Sequence, residues 1–202
     1  MKNKHGIFFG FAVFLIAVMF TLVGCGPKPT PARDFDFSDG VIYRYTGKNK
    51  DVVIPAKING KRVTSIGGNG FYAIPINSVI IPKGITTIEA LMFWHCDLTS
   101  VTIPNSVTSI GESAFGQNKL TSVTIPDSVI SIGEYAFGSN LLTNITIGSN
   151  VALSISTNEY GVELGPFGTK LDFEKFYNEN GKKAGTYTRE NWESEQWSFK
   201  AR

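Results

Sequence analysis

The chain is 202 residues long, 42% hydrophobic and 18% charged, with 21 glycines, nine prolines and a formal net charge of +2. That length suits one ordinary domain with a small appendage, and the apolar content excludes a disordered polyelectrolyte. The two excess positive charges are Lys2 and Lys4, so from Cys25 onward 17 basic side chains balance 17 acidic ones. No concentrated basic block is present to bind nucleic acid.

The amino terminus reads as an address. Lys2 and Lys4 precede an uncharged run from Ile7 to Leu22 that holds five of the 15 phenylalanines. As a helix this run spans about 24 Å, short of the ~30 Å hydrocarbon core of a bilayer. It suits a signal-peptide core better than a permanent span. Leu22-Val23-Gly24-Cys25 then resembles the lipobox of bacterial lipoproteins at every position. The resemblance implies that residues 1–24 are a lipoprotein signal peptide, cleaved before Cys25. It further implies lipid on the Cys25 thiol and an acyl chain on the new amino end, enough to anchor stably. The alternative is a plain secretory signal followed by a chance cysteine. With Cys25 lipidated, Cys96 has no disulfide partner in the chain. Residues 25–38 are the lipidated cysteine and a Pro-rich tether. The three prolines in Gly26-Pro27-Lys28-Pro29-Thr30-Pro31 fix φ and withhold donors, predicting a stiff extended stretch.

A repeat organises most of the remaining chain. The segments VIIPKGITTIEALMF, VTIPNSVTSIGESAF and VTIPDSVISIGEYAF begin at Val79, Val101 and Val123, each 22 residues after the last. ITIGSNVALSI begins at Ile145, again 22 on. An earlier copy from Val52 lies 27 residues before its successor, with its extra residues in a turn at 57–62 around Asn59-Gly60. Within one copy, Val101 and Ile103 alternate with Thr102, the period of a half-buried strand. Pro104 ends that strand at a corner. Val107 and Ile110 turn inward on the next side, Gly111 permits a bend, and residues 112–115 are expected to form one helical turn. A single coil cannot keep its apolar side chains dry. Stacked coils can, with strands about 4.8 Å apart.

The spacing L-x-x-V-x-I-P with a recurring Ala-Phe pair resembles the BspA-like class of bacterial leucine-rich repeat proteins, over residues 40–155. The resemblance implies a mainly β fold, a short leucine-rich repeat solenoid of about 22-residue coils. The solenoid is placed at residues 39–157, with Val41-Ile42-Tyr43-Arg44-Tyr45 as its N-terminal cap strand. Glu89 departs from the pattern at the bend glycine, and the fourth copy lacks the Ala-Phe pair. Phe167, in Gly165-Pro166-Phe167-Gly168, is placed as the missing aromatic after an insertion. The period ends at Lys170. Residues 171–179 carry apolar side chains at 173, 176 and 177, helical spacing, before Asn180-Gly181. Two short strands, 185–188 and 196–199, complete a small C-terminal α+β cap over residues 158–202.

Catalytic constellations are weak. Gly68-Asn69-Gly70-Phe71-Tyr72-Ala73 fits G-x-G-x-x-A, but it aligns with the coil corners and Ile74-Pro75 ends any helix at once, so no dinucleotide cofactor is expected. His95 and Cys96 are adjacent, without an orienting third group and without zinc spacing, so neither a nucleophile pair nor a metal site is expected. Cys96 instead aligns with Asn118 and Asn140. By resemblance to leucine-rich repeats, these three occupy the slot that bonds the buried turn backbone. Glu112 and Glu134 align on a corner expected to face water, not in a pocket.

Two surfaces remain as binding candidates. Ile80, Thr102, Thr124 and Thr146, flanked by Ser78, Ser100, Ser122 and Asn144, form a hydroxyl ladder. It is either a flat hydrogen-bonding face or simple strand propensity and solubility. Tyr72 and Trp94 stand where the next coils have Gly116 and Gly138, either as anchors for a partner or sugar or as packing against the N-terminal cap. Trp192 and Trp197 in the cap pose the same question. The expectation is a lipid-anchored, non-enzymatic binding module at a bacterial envelope, with the outer membrane or cell surface ahead of a periplasm-facing site. It touches the membrane through Cys25 and a protein partner through the solenoid, and needs no cofactor. The family resemblance implies protein–protein contact, including adhesion. The alternatives are a periplasm-facing scaffold lipoprotein and a carbohydrate-binding module.

Overall fold

The computed structural model describes residues 26–168 and 172–202. The signal peptide, the lipobox residues Leu22, Val23 and Gly24, the lipidation site Cys25 and the expected helical residue Leu171 lie outside the described residues. Among the described residues no helix is long and apolar enough to cross a membrane.

After a short turn at Ala32–Asp34, strands β1 (Phe35–Ser38) and β2 (Val41–Tyr45) form a hairpin. The first coil holds β3 (Asp51–Val53), a small hairpin of β4 (Lys57–Ile58) and β5 (Lys61–Arg62), and β6 (Ser65–Ile66). Asn59 and Gly60, at φ of 50° and 80°, turn that hairpin, which absorbs the extra residues of the first repeat. Each later coil supplies a front and a back strand. These are β7 (Ser78–Ile80) and β8 (Thr87–Ile88), β9 (Ser100–Thr102) and β10 (Ser109–Ile110), β11 (Ser122–Thr124) and β12 (Ser131–Ile132), then β13 (Asn144–Ile147) and β14 (Ala152–Leu153). A hairpin of β15 (Ser156–Thr157) and β16 (Glu163–Leu164), helix α1 (Asp172–Glu179), and strands β17 (Gly185–Thr188) and β18 (Ser198–Ala201) complete the chain.

The repeat period becomes strand register. Val52 pairs with Val79 and Val79 with Val101, all in parallel, and Val123 pairs with Ile145. The back strands run unbroken as β8-β10-β12-β14. The front does not: β9 pairs with β7 and β11 with β13, but no ladder joins β9 to β11 among the described residues. Val101 is accordingly half-buried, where Val79, Val123 and Ile145 are buried.

The corner carries a stack of rings. Phe71, Phe93, Phe115 and Phe137 are each fully buried. Their centroids lie 5.0, 5.3 and 5.2 Å apart in that order, with Tyr45 5.5 Å beyond Phe71 at one end. Phe167 continues the stack 5.5 Å from Phe137, and Phe173 of α1 closes it edge-on. Each buried ring removes a large apolar area from water, and offset stacking adds to it.

The corner is not the expected helical turn at 112–115. Leu91, Ser113 and Tyr135, two residues before a ladder phenylalanine, have φ of 60°, 52° and 54°. Ala73, His95, Gln117 and Ser139, two residues after, lie between 52° and 54°. This left-handed backbone is disfavoured for side-chain-bearing residues. It persists here because it aims amides along the solenoid. Leu91 N–H donates to Glu112 O, Phe93 N–H to Ala114 O and His95 N–H to Gly116 O, and the next coil repeats the set at Ser113, Phe115 and Gln117. A helical turn would have spent those donors inside its own coil.

Both ends are covered. The folded region begins well before residue 39. Thr30 is buried, its N–H donates to Val53 O at 2.9 Å, and its Oγ1 accepts Val53 N–H at 2.9 Å. The Pro-rich stretch is therefore held to the outer edge of β3 from Thr30 on, while residues 26–29 are exposed, and β1 belongs to the N-terminal cap. At the other end β17 lies antiparallel on β13 and β18 on β17. The second cap strand falls at 198–201 and not at 196–199.

Candidate binding surface

On the front face, side chains of alternate residues point outward. Ser100 and Thr102, Ser122 and Thr124, and Asn144 and Thr146 form two ranks along the solenoid. The cap extends both. Asn144 pairs with Thr188 and Thr146 with Thr186, whose hydroxyls approach to 3.1 Å. Thr188 in turn sits 2.7 Å from Ser198 Oγ. Thr186 and Thr188 lie outside the repeat and belong to no motif, although their alternation around buried Tyr187 matches that of the coils. Where β9 and β11 part, the face opens into a cleft of about 680 Å³ lined by Thr102, Ile103, Thr124 and Thr146. Its rim holds Arg202, whose Nη1 donates to Asp127 Oδ1 at 2.6 Å.

Tyr72 and Trp94 stack on each other, with centroids 5.1 Å apart and ring planes 17° from parallel. On the next coil, a Cβ at Gly116 would stand only 3.2 Å from Trp94 Cδ1. Trp94 is thus half-buried between the Tyr72 ring and the bare backbone of Gly116, with the His95 ring 5.3 Å away, while Tyr72 stays 39% exposed. Gly138 serves likewise, since a Cβ there would collide with the Tyr135 ring. Each glycine in the slot makes room for an aromatic.

The Asn slot is dense with hydrogen bonds. Asn118 Oδ1 accepts Cys96 N–H at 3.0 Å and Leu98 N–H at 2.9 Å, and its Nδ2 donates to Phe93 O, Phe115 O and Gly116 O. Asn140 accepts Leu120 N–H and donates to Phe115 O and Phe137 O. Cys96 Sγ donates to Phe71 O at 2.9 Å. Burial pushes the Cys96 thiol up to about 12, so it stays protonated and is a poor nucleophile. Glu112 is exposed, whereas Glu134 is half-buried and accepts Ser156 Oγ–H at 2.6 Å. Among the described residues no group of three or more His, Cys, Asp or Glu side chains is placed to hold a metal ion.

The BspA type Leucine rich repeat region family matches this chain over residues 42–160, in six copies. No curated protein matches it. Among solved structures, the T. pallidum Leucine Rich Repeat protein is 27% identical with a TM-score of 0.51, over 61% of this chain and 65% of that one. A leucine rich cell surface protein from Faecalibacterium prausnitzii A2-165 is 32% identical with a TM-score of 0.41, over 50% of this chain and 28% of that one. The chain thus spans less than two thirds of either structure's own length.

Proposed function

The chain belongs to the BspA-type leucine-rich repeat family, and we propose that it is a protein-binding module held at the surface of a bacterial envelope by lipid on Cys25. The observation that carries this reading is the hydroxyl-rich face, whose two ranks run from β11 through β13 to β17 of the cap, with Ser100 and Thr102 of β9 across the cleft and the charges of Lys200, Arg202 and Asp127 confined to its border. Short hydroxyl side chains lose little rotamer freedom when covered, and each can both donate to and accept from a partner's peptide groups. Such a face binds modestly by itself. Many copies tethered to one membrane raise the effective affinity for a partner on a facing surface. Adhesion to host or neighbouring-cell protein is the role this geometry serves best, with no catalytic step. The protonated Cys96 thiol and the separate surroundings of Glu112 and Glu134 support that assignment.

Protease shaving of intact cells tests the placement, with Cys25→Ala as the released control. Cutting of the solenoid while periplasmic markers survive supports surface display. Cutting only after the outer membrane is opened overturns adhesion and leaves the periplasm-facing scaffold. Thr102→Lys with Thr124→Lys tests the face: loss of adhesion to immobilised matrix protein by folded, correctly displayed variant is expected. Retention would place binding elsewhere.

A further inference from the structure

Where the cap closes on the last coil, it leaves a cleft of about 420 Å³, the size of a small-ligand site. Its walls include Tyr135 and Phe167 from the solenoid end, and Phe173, Trp192, Glu193 and Trp197 from the cap. We propose that this cleft binds a neutral sugar ring of a glycan, stacked on Trp192 and hydrogen-bonded to Glu193. This goes beyond the protein-binding face and does not depend on it.

The floor is already satisfied and rigid. Arg189 donates through Nη1 to Asp172 Oδ2 at 3.2 Å and to Ser194 O at 3.1 Å, and through Nε to Leu142 O at 2.7 Å. Trp197 Nε1 donates to the same Asp172 oxygen at 3.0 Å, and the guanidinium lies 4.7 Å over the Trp197 ring. Trp197 is therefore buried and its cation-binding face is occupied by the protein's own arginine.

Trp192 is the opposite case. It is 51% exposed although it lines the cleft, and the turn that carries it is fixed. Asn191 Oδ1 accepts both Glu193 N–H and Ser194 N–H, while Arg189 N–H donates to Thr143 O of the solenoid. An indole held half out of water on an ordered turn loses little freedom on binding. Beside it the Glu193 carboxylate has no partner among the described residues. Across the cleft, Tyr135 Oη and Ser139 Oγ form a hydroxyl pair at 2.5 Å.

The lining narrows the occupant. The Arg189 charge is met by Asp172, so an anionic ligand would face the free Glu193 carboxylate without a compensating cation. A neutral ring with an apolar C–H face and a hydroxyl edge uses the indole and the carboxylate together. Its C–H face covers the indole, and two adjacent hydroxyls donate to the two Glu193 oxygens. Hydrogen bonds to a charged acceptor are the stronger kind.

The test uses the full chain in detergent, titrated with hexasaccharides of glucose (β1,4 and α1,4), xylose and mannose, read by emission of the three tryptophans and by calorimetry. Saturable binding of at least one sugar is expected. Trp192→Ala and Glu193→Gln should each weaken it by about tenfold or more, Trp192→Phe should weaken it less, and Trp94→Ala should leave it unchanged. Three results overturn the proposal: no response at millimolar sugar, affinity retained in Trp192→Ala, or binding of phosphocholine or a proline-rich peptide in place of the sugars. Trp192 is exposed and supports no core contact, so its variants remain folded. A negative result leaves the hydroxyl-face reading standing, because Thr102 and Thr124 lie outside this cleft.

Discussion

The Phe137 and Phe167 rings lie 5.5 Å apart and within 8° of parallel, although thirty residues and a hairpin separate them in the chain. Between them the ordinary next coil has lost its Ala-Phe pair. The segment at 165–167 stands in for it, because Tyr135 N–H donates to Gly165 O and Phe137 N–H to Pro166 O as in a regular corner. The aromatic stack is thereby handed from the solenoid to Phe173 of the cap.

That continuity sets the cost of interrupting it. Phe115 is fully buried between two stacked rings, so Phe115→Ala should destabilise the protein by about 3–5 kcal/mol. Phe167→Ala, at a half-buried position, should cost less and loosen the cap first. Urea titration followed by circular dichroism and by tryptophan emission checks both. Coincident transitions in Phe167→Ala would show that cap and solenoid unfold as one unit, contrary to this expectation.

Asn118→Ala would strand Cys96 N–H, Leu98 N–H and Phe93 O in the interior. Buried unpaired backbone groups are costly, and a loss of about 2–4 kcal/mol is expected. Asn118→Asp should be no better, since a carboxylate cannot donate to Phe93 O and Phe115 O. A midpoint for Asn118→Asp equal to that of the natural protein would contradict the donor role of Nδ2.

Cys96 should be chemically silent in the folded protein. In a Cys25→Ala background it is the sole thiol, and burial holds it protonated and covered. Alkylation at pH 8 should follow the unfolding rate, rising steeply through the urea transition. Rapid labelling without denaturant would show an open path to the corner.

Glu174 makes stability depend on pH. Burial is the dominant cause lifting its carboxyl to about 7 from an ordinary value of 4.5, and the Phe167 N–H bond offsets this only in part. Its Oε2 has no hydrogen-bond partner among the described residues. Between those values the folded protein holds a proton that the unfolded chain has released, so stability falls as pH rises. The contribution is complete below pH about 4.5 and lost above about 7, on the order of 3 kcal/mol. Glu174→Gln should remove this slope and stabilise the protein at pH 8. Parallel pH profiles for the two proteins would refute the assignment.

Leu91 offers a test of the corner itself. It is 39% exposed at a φ of 60°. Leu91→Gly relieves about 1 kcal/mol of left-handed backbone strain but gives up the covered part of the side chain, so the two should nearly cancel and stability should change by less than about 1 kcal/mol. A clear destabilisation would mean that the side chain matters more than the backbone there.

Much of this architecture is written locally. The 22-residue spacing of Val79, Val101 and Val123 predicts their stacking, because a period in sequence repeated on a coil becomes register in space. Asn118 and Phe115 are legible for the same reason. The helical turn expected at 112–115 fails because the choice between bonding within a coil and bonding to the next one is made by the neighbouring coil, which local sequence does not contain. Thr30 on Val53, Thr186 beside Thr146, and the cleft under Trp192 are of the same kind. Each joins segments distant in the chain, and no periodicity relates them. Sequence alone determined the repeat, its core and its buried slots, since those depend on side-chain pattern. Tertiary structure decided where the folded region begins, how far the binding face extends and where a cavity is left, since those depend on which nonlocal backbone edges meet.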